Sequence, residues 1–88
     1  MSKEEFIETL DLPFDGERWN DDYIITLNSS DDFSYLYNII SNNNELTLDD
    51  SSVTTTDNAL FTFFNDDFDL RLSADFNKDI YRLTVSDR

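Results

Sequence analysis

The sequence predicts a single α+β domain, residues 1–88, in which two short helices pack on an antiparallel β-sheet. Two stretches before residue 42 carry apolar residues at helical spacing. From Glu45 onward the apolar period shortens to two, which is typical of strands with one buried face. A chain of 88 residues has room for one hydrophobic core. Eight Phe, four Tyr and one Trp give that core a large buried area although only 39% of the residues are hydrophobic.

The first half of the chain predicts the order helix–strand–helix. Ser2 precedes the first apolar stripe and is predicted to cap the first helix. Pro13 and Gly16, the only Pro and Gly in the chain, end that helix in a loop. A β-branched run over 23–27 predicts a strand. Ser30 is then predicted to cap a second helix. Its buried face consists of Phe33, Leu36, Tyr37 and Ile40.

The second half predicts a meander of four to five strands, over 45–48, 53–56, 60–64, 67–76 and 81–85. The clearest strand is 67–76. Its predicted core face is Phe68, Leu70, Leu72, Ala74 and Phe76, and its predicted solvent face is Asp67, Asp69, Arg71, Ser73 and Asp75. Strands joined by hairpins are antiparallel, so one face of this sheet should cover the helices and the other should face water.

The composition argues against an enzyme. The chain has no Cys and no His, which removes disulfides, thiolate chemistry, zinc ligation and the commonest general base. A hydrolase with two carboxylates needs a pocket that separates their pKa values, and a thin core of this size rarely supplies one. With one Gly, the chain has no glycine-rich phosphate loop. We therefore expect no catalytic activity, no cofactor and no metal.

One segment resembles a calcium loop at a single position. Residues 11–22 carry Gly16 at the sixth of twelve positions, as an EF-hand requires. However, Pro13 occupies the third position, Trp19 the ninth, and the last position is Asp instead of Glu. The segment is therefore interpreted as a helix stop followed by a turn. Its two aromatic residues, Phe14 and Trp19, are expected to cover the core, and the alternative is that they contact a partner.

The dominant feature is charge. Twenty Asp and Glu residues face six Lys and Arg residues, which gives a net charge of −14. Such a surplus destabilises a compact chain by self-repulsion and exceeds the roughly 2–8 charges that solubility requires. Four adjacent Asp pairs lie at predicted element boundaries, where Asp favours caps and turns. Asp67 of the last pair, together with two further residues, Asp69 and Asp75, falls on the solvent face of strand 67–76, although Asp is a poor strand former. Together these predicted partner-binding residues are Asp21, Asp22, Asp31, Asp32, Asp49, Asp50, Asp66, Asp67, Asp69 and Asp75.

Their spacing suggests what they bind. Same-face strand residues lie about 6.6–7 Å apart, which is similar to the spacing of successive phosphates along a DNA strand. Carboxylates at this spacing can be bound by the Lys and Arg side chains of a nucleic-acid groove. The partner is therefore expected to be a basic nucleic-acid-binding protein, and the chain itself should not bind nucleic acid. Arg71 and Arg82 are expected to reduce local repulsion by pairing with Asp69 or Asp75, and the alternative is that they contact the partner.

In size, charge, lack of Cys and Asp-rich strands and turns, the whole chain resembles small phage-encoded inhibitors that imitate DNA. This class includes anti-CRISPR proteins, anti-restriction proteins and uracil-DNA glycosylase inhibitors, and no linear motif is shared with any of them. The resemblance implies an inhibitor that occupies the nucleic-acid or recognition-motif groove of a host defence nuclease. Among these subtypes it favours an anti-CRISPR protein that binds a CRISPR effector in the host cytoplasm.

Other interpretations remain open. An immunity protein or antitoxin that neutralises a basic nuclease toxin would use the same electrostatics. Salt adaptation also produces acidic surfaces, and a structural or virion component is a further alternative. The sequence shows neither a signal-peptide pattern near Met1 nor an apolar run of about 20 residues. We therefore expect a cytoplasmic protein that does not interact with membranes.

Overall fold

A computed structural model describes residues 2–88 as two helices and one seven-stranded antiparallel sheet, which confirms the α+β class. Strand predominates over helix. The elements in chain order are α1 Lys3–Thr9, β1 Glu17–Trp19, β2 Asp22–Leu27, α2 Ser30–Ser41, β3 Thr47–Leu48, β4 Val53–Thr54, β5 Asn58–Phe64, β6 Phe68–Asp75 and β7 Ile80–Asp87.

The strands are ordered β1-β2-β7-β6-β5-β3, and β4 also pairs with β5. The three longest strands, β5, β6 and β7, are consecutive neighbours, as a meander requires. β2 pairs with β7, so α2 carries the chain across the sheet from β2 to the β5 side. The central strands β6 and β7 are eight residues long each. The sheet therefore presents one face to the helices, and no element within residues 2–88 covers the opposite face.

The predicted helix–strand–helix order is wrong in one respect, because two strands separate the helices. β1 and β2 form a hairpin in which Trp19 pairs with Asp22. Asn20 occupies the turn with φ 55°, a left-handed conformation that Asn tolerates better than most residues. The prediction that Trp19 covers the core is also wrong, since its side chain is 64% exposed. Phe14 is half-buried and packs against the core, as predicted.

Both helices begin with a serine cap. The capping box of α1 is confirmed: the Glu5 backbone N–H donates to Ser2 Oγ at 3.2 Å, and the Ser2 N–H donates to Glu5 Oε1 at 3.4 Å. The predicted cap of α2 is wrong by one residue. Ser29 has the extended backbone of an N-cap and accepts the Asp32 N–H at 3.2 Å, while Ser30 is already helical.

β6 has the predicted core face at four positions, which are Phe68, Leu70, Leu72 and Ala74. The strand is shorter than predicted at both ends because each flanking turn is closed by a side chain. Asn65 Oδ1 accepts the backbone N–H groups of Asp67 and Phe68, both at 2.8 Å, so Asp67 lies in the turn. Asp75 Oδ1 closes the turn that follows the strand. Phe76 belongs to that turn and is 39% exposed, so its predicted core position is wrong.

The core lies between the sheet and the two helices. Its fully buried side chains are Ile25, Leu36, Ile40, Leu70, Leu72, Leu83 and Val85. Burying each contributes about 1.5–3 kcal/mol relative to exposure. One cation joins this core: Lys3 is 6% exposed, and its Nζ lies 2.8 Å from Asp87 Oδ2. This ion pair connects α1 to the end of β7. Neither helix is long and apolar enough to cross a membrane.

The turn between β6 and β7 offers a test of the backbone geometry. Asp79 adopts φ 56°, which costs most L-residues about 1–2 kcal/mol and costs Gly nothing. Asp79→Gly, Asp79→Asn and Asp79→Ala remove the same charge, so differences among them report on the backbone. We expect stability to fall in the order Gly, Asn, Ala, with about 1 kcal/mol between Gly and Ala. Urea unfolding measures this order, and an Ala variant as stable as the Gly variant would contradict the left-handed turn.

Candidate partner-binding site

The fold divides the ten predicted acids among both ends and one edge of the sheet. The end where β6 begins holds Asp21, Asp22, Asp66, Asp67 and Asp69. The opposite end holds Asp31, Asp32 and Asp75. The loop beside β5 holds Asp49 and Asp50. These acids therefore form three separate groups, and no single face displays all of them.

Arg88 partly neutralises the group of acids at the end of the sheet where β6 begins. In the β6–β7 register Asp69 lies opposite Ser86, and Asp22 falls beside the same residue when the β2–β7 register is continued. The two acids are thus two strands apart, or roughly 9–10 Å. Arg88 reaches into this group: its Nη1 lies 3.6 Å from Asp69 Oδ1, and its guanidinium lies 4.1 Å from the centre of the Phe64 ring.

The predicted pairing of Arg71 and Arg82 with Asp69 or Asp75 is wrong. The register places both arginines opposite Ser and Thr residues of the neighbouring strands. Arg71 Nη2 donates to Ser86 Oγ at 3.3 Å, and within residues 2–88 neither arginine forms an ion pair. Both side chains are exposed on the open face of the sheet.

Of the three acids predicted on the solvent face of strand 67–76, two lie on β6. Asp67 lies in the turn before β6, which leaves Asp69 and Asp75 as the acids of its solvent face. Arg71 and Ser73 separate them, so the two carboxylates are about 20 Å apart along the strand. Any imitation of a phosphate backbone must therefore use acids from other parts of the chain.

The structure assembles a different acidic surface beside the loop that follows α1. Two neighbouring depressions of about 340 and 460 Å³ share the side chain of Phe14. Among the described residues, 2–88, no Lys or Arg lines either depression. We call this the acidic loop surface and define it by its five carboxylates and two aromatic rings: Glu8, Asp11, Asp15, Asp31, Asp32, Phe14 and Tyr35.

Two aromatic rings lie at the centre of the acidic loop surface. Phe14 and Tyr35 meet edge to face, with ring centres 6.1 Å apart and planes at 79°. Tyr35 is 50% exposed, so part of this pair is available to a partner. Gly16 lets the Tyr23 ring lie against the loop, because a Cβ at this position would lie 2.5 Å from Cζ of Tyr23 and would displace the ring. The Tyr23 ring thus packs directly under the loop backbone.

Sequence reasoning found only part of this surface. Asp31 and Asp32 were predicted as site residues because they form an adjacent pair. Glu8, Asp11 and Asp15 were missed because each is a single acid, although Asp11 and Asp15 flank the loop that contains the only Pro and Gly. The position of Asp11 and Asp15 on either side of this loop is the sequence feature that could have identified them as site residues. Within residues 2–88, no group of three or more carboxylates lies close enough to hold a metal ion.

Among residues 2–88, two titratable groups show clear pKa shifts: Asp49 in the β3–β4 loop and Tyr81 on β7. The Ser51 backbone N–H donates to Asp49 Oδ1 at 2.8 Å and lowers the pKa of that carboxyl. This contact gives Asp49 a structural role in its loop. Hydrogen bonding to the Asp79 carboxylate, reinforced by burial, raises the pKa of Tyr81.

The acidic loop surface has the chemistry of a protein-binding site. Exposed aromatic rings surrounded by polar groups are typical of interface centres and their rims. Carboxylates accept bidentate hydrogen bonds from Arg, and aromatic faces attract guanidinium groups. The surface therefore suits a partner rich in Arg and Lys. No protein-family model, no curated protein and no solved structure matches this chain.

Proposed function

We propose that the protein is a DNA-mimic inhibitor that binds the basic nucleic-acid or recognition-motif groove of a host defence nuclease, most specifically as an anti-CRISPR protein. The observation that supports this is the acidic loop surface. It presents five carboxylates around two aromatic rings, and in the part of the chain that the structure describes no Lys or Arg lines its depressions. The protein acts by occupying the groove and not by catalysis, and its target is a CRISPR effector or a related nuclease in the host cytoplasm.

The carboxylates replace phosphates in this proposal. A groove that holds DNA presents Arg and Lys side chains to the phosphate backbone, and these groups bind carboxylates with the same charge-assisted hydrogen bonds. Asp31 and Asp32 lie in the first turn of α2, and Asp11 and Asp15 flank the neighbouring loop. The backbone of α2 fixes the positions of Asp31 and Asp32 before the partner arrives, which lowers the entropy cost of binding at these two acids.

The two aromatic rings replace bases. Base-binding proteins stack guanidinium groups and aromatic side chains on the flat faces of bases. Phe14 and the half-exposed Tyr35 ring offer similar flat, apolar surfaces between the carboxylates. An Arg of the groove can then contact a ring face and a carboxylate at once.

The net charge of −14 supports the same proposal through association kinetics. Complementary fields raise association rates to as much as 10⁸–10⁹ M⁻¹s⁻¹ at low salt, with a steep loss as salt is added. A fast inhibitor can reach the groove before DNA does. The like charge of nucleic acid also disfavours direct binding of this protein to DNA or RNA.

Cleavage assays with purified nucleases test the proposed function. We expect an excess of the protein to block DNA cleavage by at least one guide-loaded CRISPR effector or restriction nuclease, with weaker inhibition at high salt. A nuclease toxin of the colicin type belongs in the same panel. Inhibition confined to that toxin would favour the immunity-protein alternative. No inhibition of any DNA-binding nuclease at low salt would contradict the proposal.

A further inference from the structure

A depression with aromatic walls lies between α2 and the β4–β5 hairpin, and its volume is about 290 Å³. We call it the aromatic cleft and define it by its four rings, Phe33, Tyr37, Phe61 and Phe76. Phe33 is buried, and Tyr37 and Phe61 are half-buried. Phe76 belongs to the turn after β6 and is 39% exposed. The cleft therefore opens to solvent beside the Phe76 ring.

The four rings form a connected cluster whose planes are far from parallel. The Phe33 and Phe76 rings have centres 6.2 Å apart and planes at 81°. The Tyr37 and Phe61 rings have centres 4.7 Å apart and planes at 50°. Phe33 and Phe61 join these two pairs, with ring centres 6.3 Å apart. Rings that enclose one space from several directions are the arrangement that aromatic cages use to bind cations.

The surroundings of the aromatic cleft favour a cation. Within residues 2–88 no Lys or Arg lines it. Asp31 is exposed and lies three residues before Ser34 of the cleft, which makes the two neighbours on the surface of α2. The Asp57 carbonyl oxygen accepts the Phe76 N–H at 2.9 Å, which places that exposed acid beside the cleft. Lys78, in the turn after Phe76, lies within three residues of two acids. The local field is therefore negative, as the net charge of −14 also requires.

We propose that the aromatic cleft binds the guanidinium group of an arginine side chain of a protein partner. A guanidinium is planar, stacks on aromatic faces and is more weakly hydrated than the ammonium of Lys. Removing it from water therefore costs less. Ser34 and Asn38 are the exposed polar residues that α2 contributes to the cleft, and the Ser34 hydroxyl and the Asn38 amide oxygen can accept its N–H groups.

Other side chains match the aromatic cleft less well. An apolar side chain would contact the rings, but it offers no donor to Ser34 or Asn38 and gains nothing from the negative field. A carboxylate would be repelled by that field and by the negative faces of the rings. The charge around the cleft and the chemistry of its polar residues therefore select the same occupant.

The aromatic cleft is separate from the acidic loop surface. The two share no lining residue within residues 2–88. Tyr35 of the acidic loop surface and Tyr37 of the cleft are about 200° apart around the axis of α2, so they project from opposite flanks of the helix. The arginine site does not rest on the proposed inhibitor function. Probe binding tests the cleft, and the cleavage assay tests inhibition.

Two small probes test the arginine site: N-acetyl-arginine methylamide and its citrulline counterpart. Citrulline has the shape of arginine with a neutral urea in place of the guanidinium, so the probes differ by one charge. Each is titrated into the full chain in about 1 M salt, where a Debye length of about 3 Å screens long-range attraction. NMR shifts of the Ser34, Asn38 and Phe76 amides measure occupancy. We expect the arginine probe to bind at least about fivefold more tightly.

A variant assigns this binding to the rings. Phe76→Leu keeps an apolar side chain and removes the exposed ring, so it should weaken binding of the arginine probe about fivefold while circular dichroism shows an unchanged fold. Tyr35→Leu is the matched control, because it removes a ring that is 50% exposed on the other flank of α2. It should leave the affinity of the cleft unchanged.

The comparison of the two probes uses the wild-type chain, so it stands even if Phe76→Leu fails to fold. Equal affinity for the arginine and citrulline probes, or no shift of the cleft amides with either, would overturn the cation site. An equal loss of arginine binding in Tyr35→Leu would overturn its assignment to the aromatic cleft.

Discussion

Replacing Glu8 by Gln and both Asp11 and Asp15 by Asn should weaken binding to the target nuclease roughly a thousandfold. Each of these carboxylates is exposed and lines the same depression of the acidic loop surface. Hydrogen bonds to charged groups contribute about 1.5 kcal/mol or more each, so three lost contacts cost about 4 kcal/mol. Asn tolerates the φ of 52° at position 11, so the fold should be unaffected. Titration calorimetry against the target measures the loss.

The matched control replaces Asp50, Asp66 and Asp67 by Asn. This triple variant has the same net charge as the first, and its three acids are exposed in turns away from the acidic loop surface. We expect affinity to change by less than about tenfold, chiefly through slower association. An equal or larger loss in the control would place the interface at the end of the sheet where β6 begins, or would show that bulk charge alone drives binding.

Leu83→Ala should destabilise the fold by about 3–5 kcal/mol. Leu83 is 0% exposed on the central strand β7, where its removal leaves a cavity that the surrounding sheet and helices cannot fill. A domain of 88 residues has a total stability of about 4–13 kcal/mol. The variant should therefore be marginally folded at room temperature, with a much lower urea midpoint.

Leu48→Ala provides the comparison for this core variant, because Leu48 is 48% exposed on the short strand β3. Its cost should stay below about 1 kcal/mol. Added salt should stabilise both variants, since it screens the self-repulsion of a chain with a net charge of −14. Equal urea midpoints for the two variants would contradict the position of the core.

Local patterns were sufficient to predict most elements. The alternation in β6 and β7 and the Ser2 cap of α1 need only neighbouring residues, and all three are present in the structure. β1 was missed because Glu17, Arg18 and Trp19 show no apolar alternation. It is a strand only because it pairs with β2, and sequence periodicity does not report such pairing.

The candidate site depended more strongly on tertiary structure. Adjacent acids such as Asp31 and Asp32 were visible in the sequence. Their proximity to Phe14 arises because α2 packs against the loop that follows α1. The predicted partners of Arg71 and Arg82 were wrong for a related reason. Cross-strand neighbours depend on register, and here the register places Thr and Ser opposite both arginines.

Competition between this protein and DNA for the target nuclease tests the DNA-mimic proposal most directly. A preformed complex of the protein with the nuclease is titrated with the duplex that the nuclease recognises, and bound protein is measured at low salt. We predict that the apparent dissociation constant of the protein rises in proportion to the DNA concentration, because the two ligands need the same basic groove. A ternary complex that holds DNA and the protein together with undiminished affinity would contradict DNA mimicry.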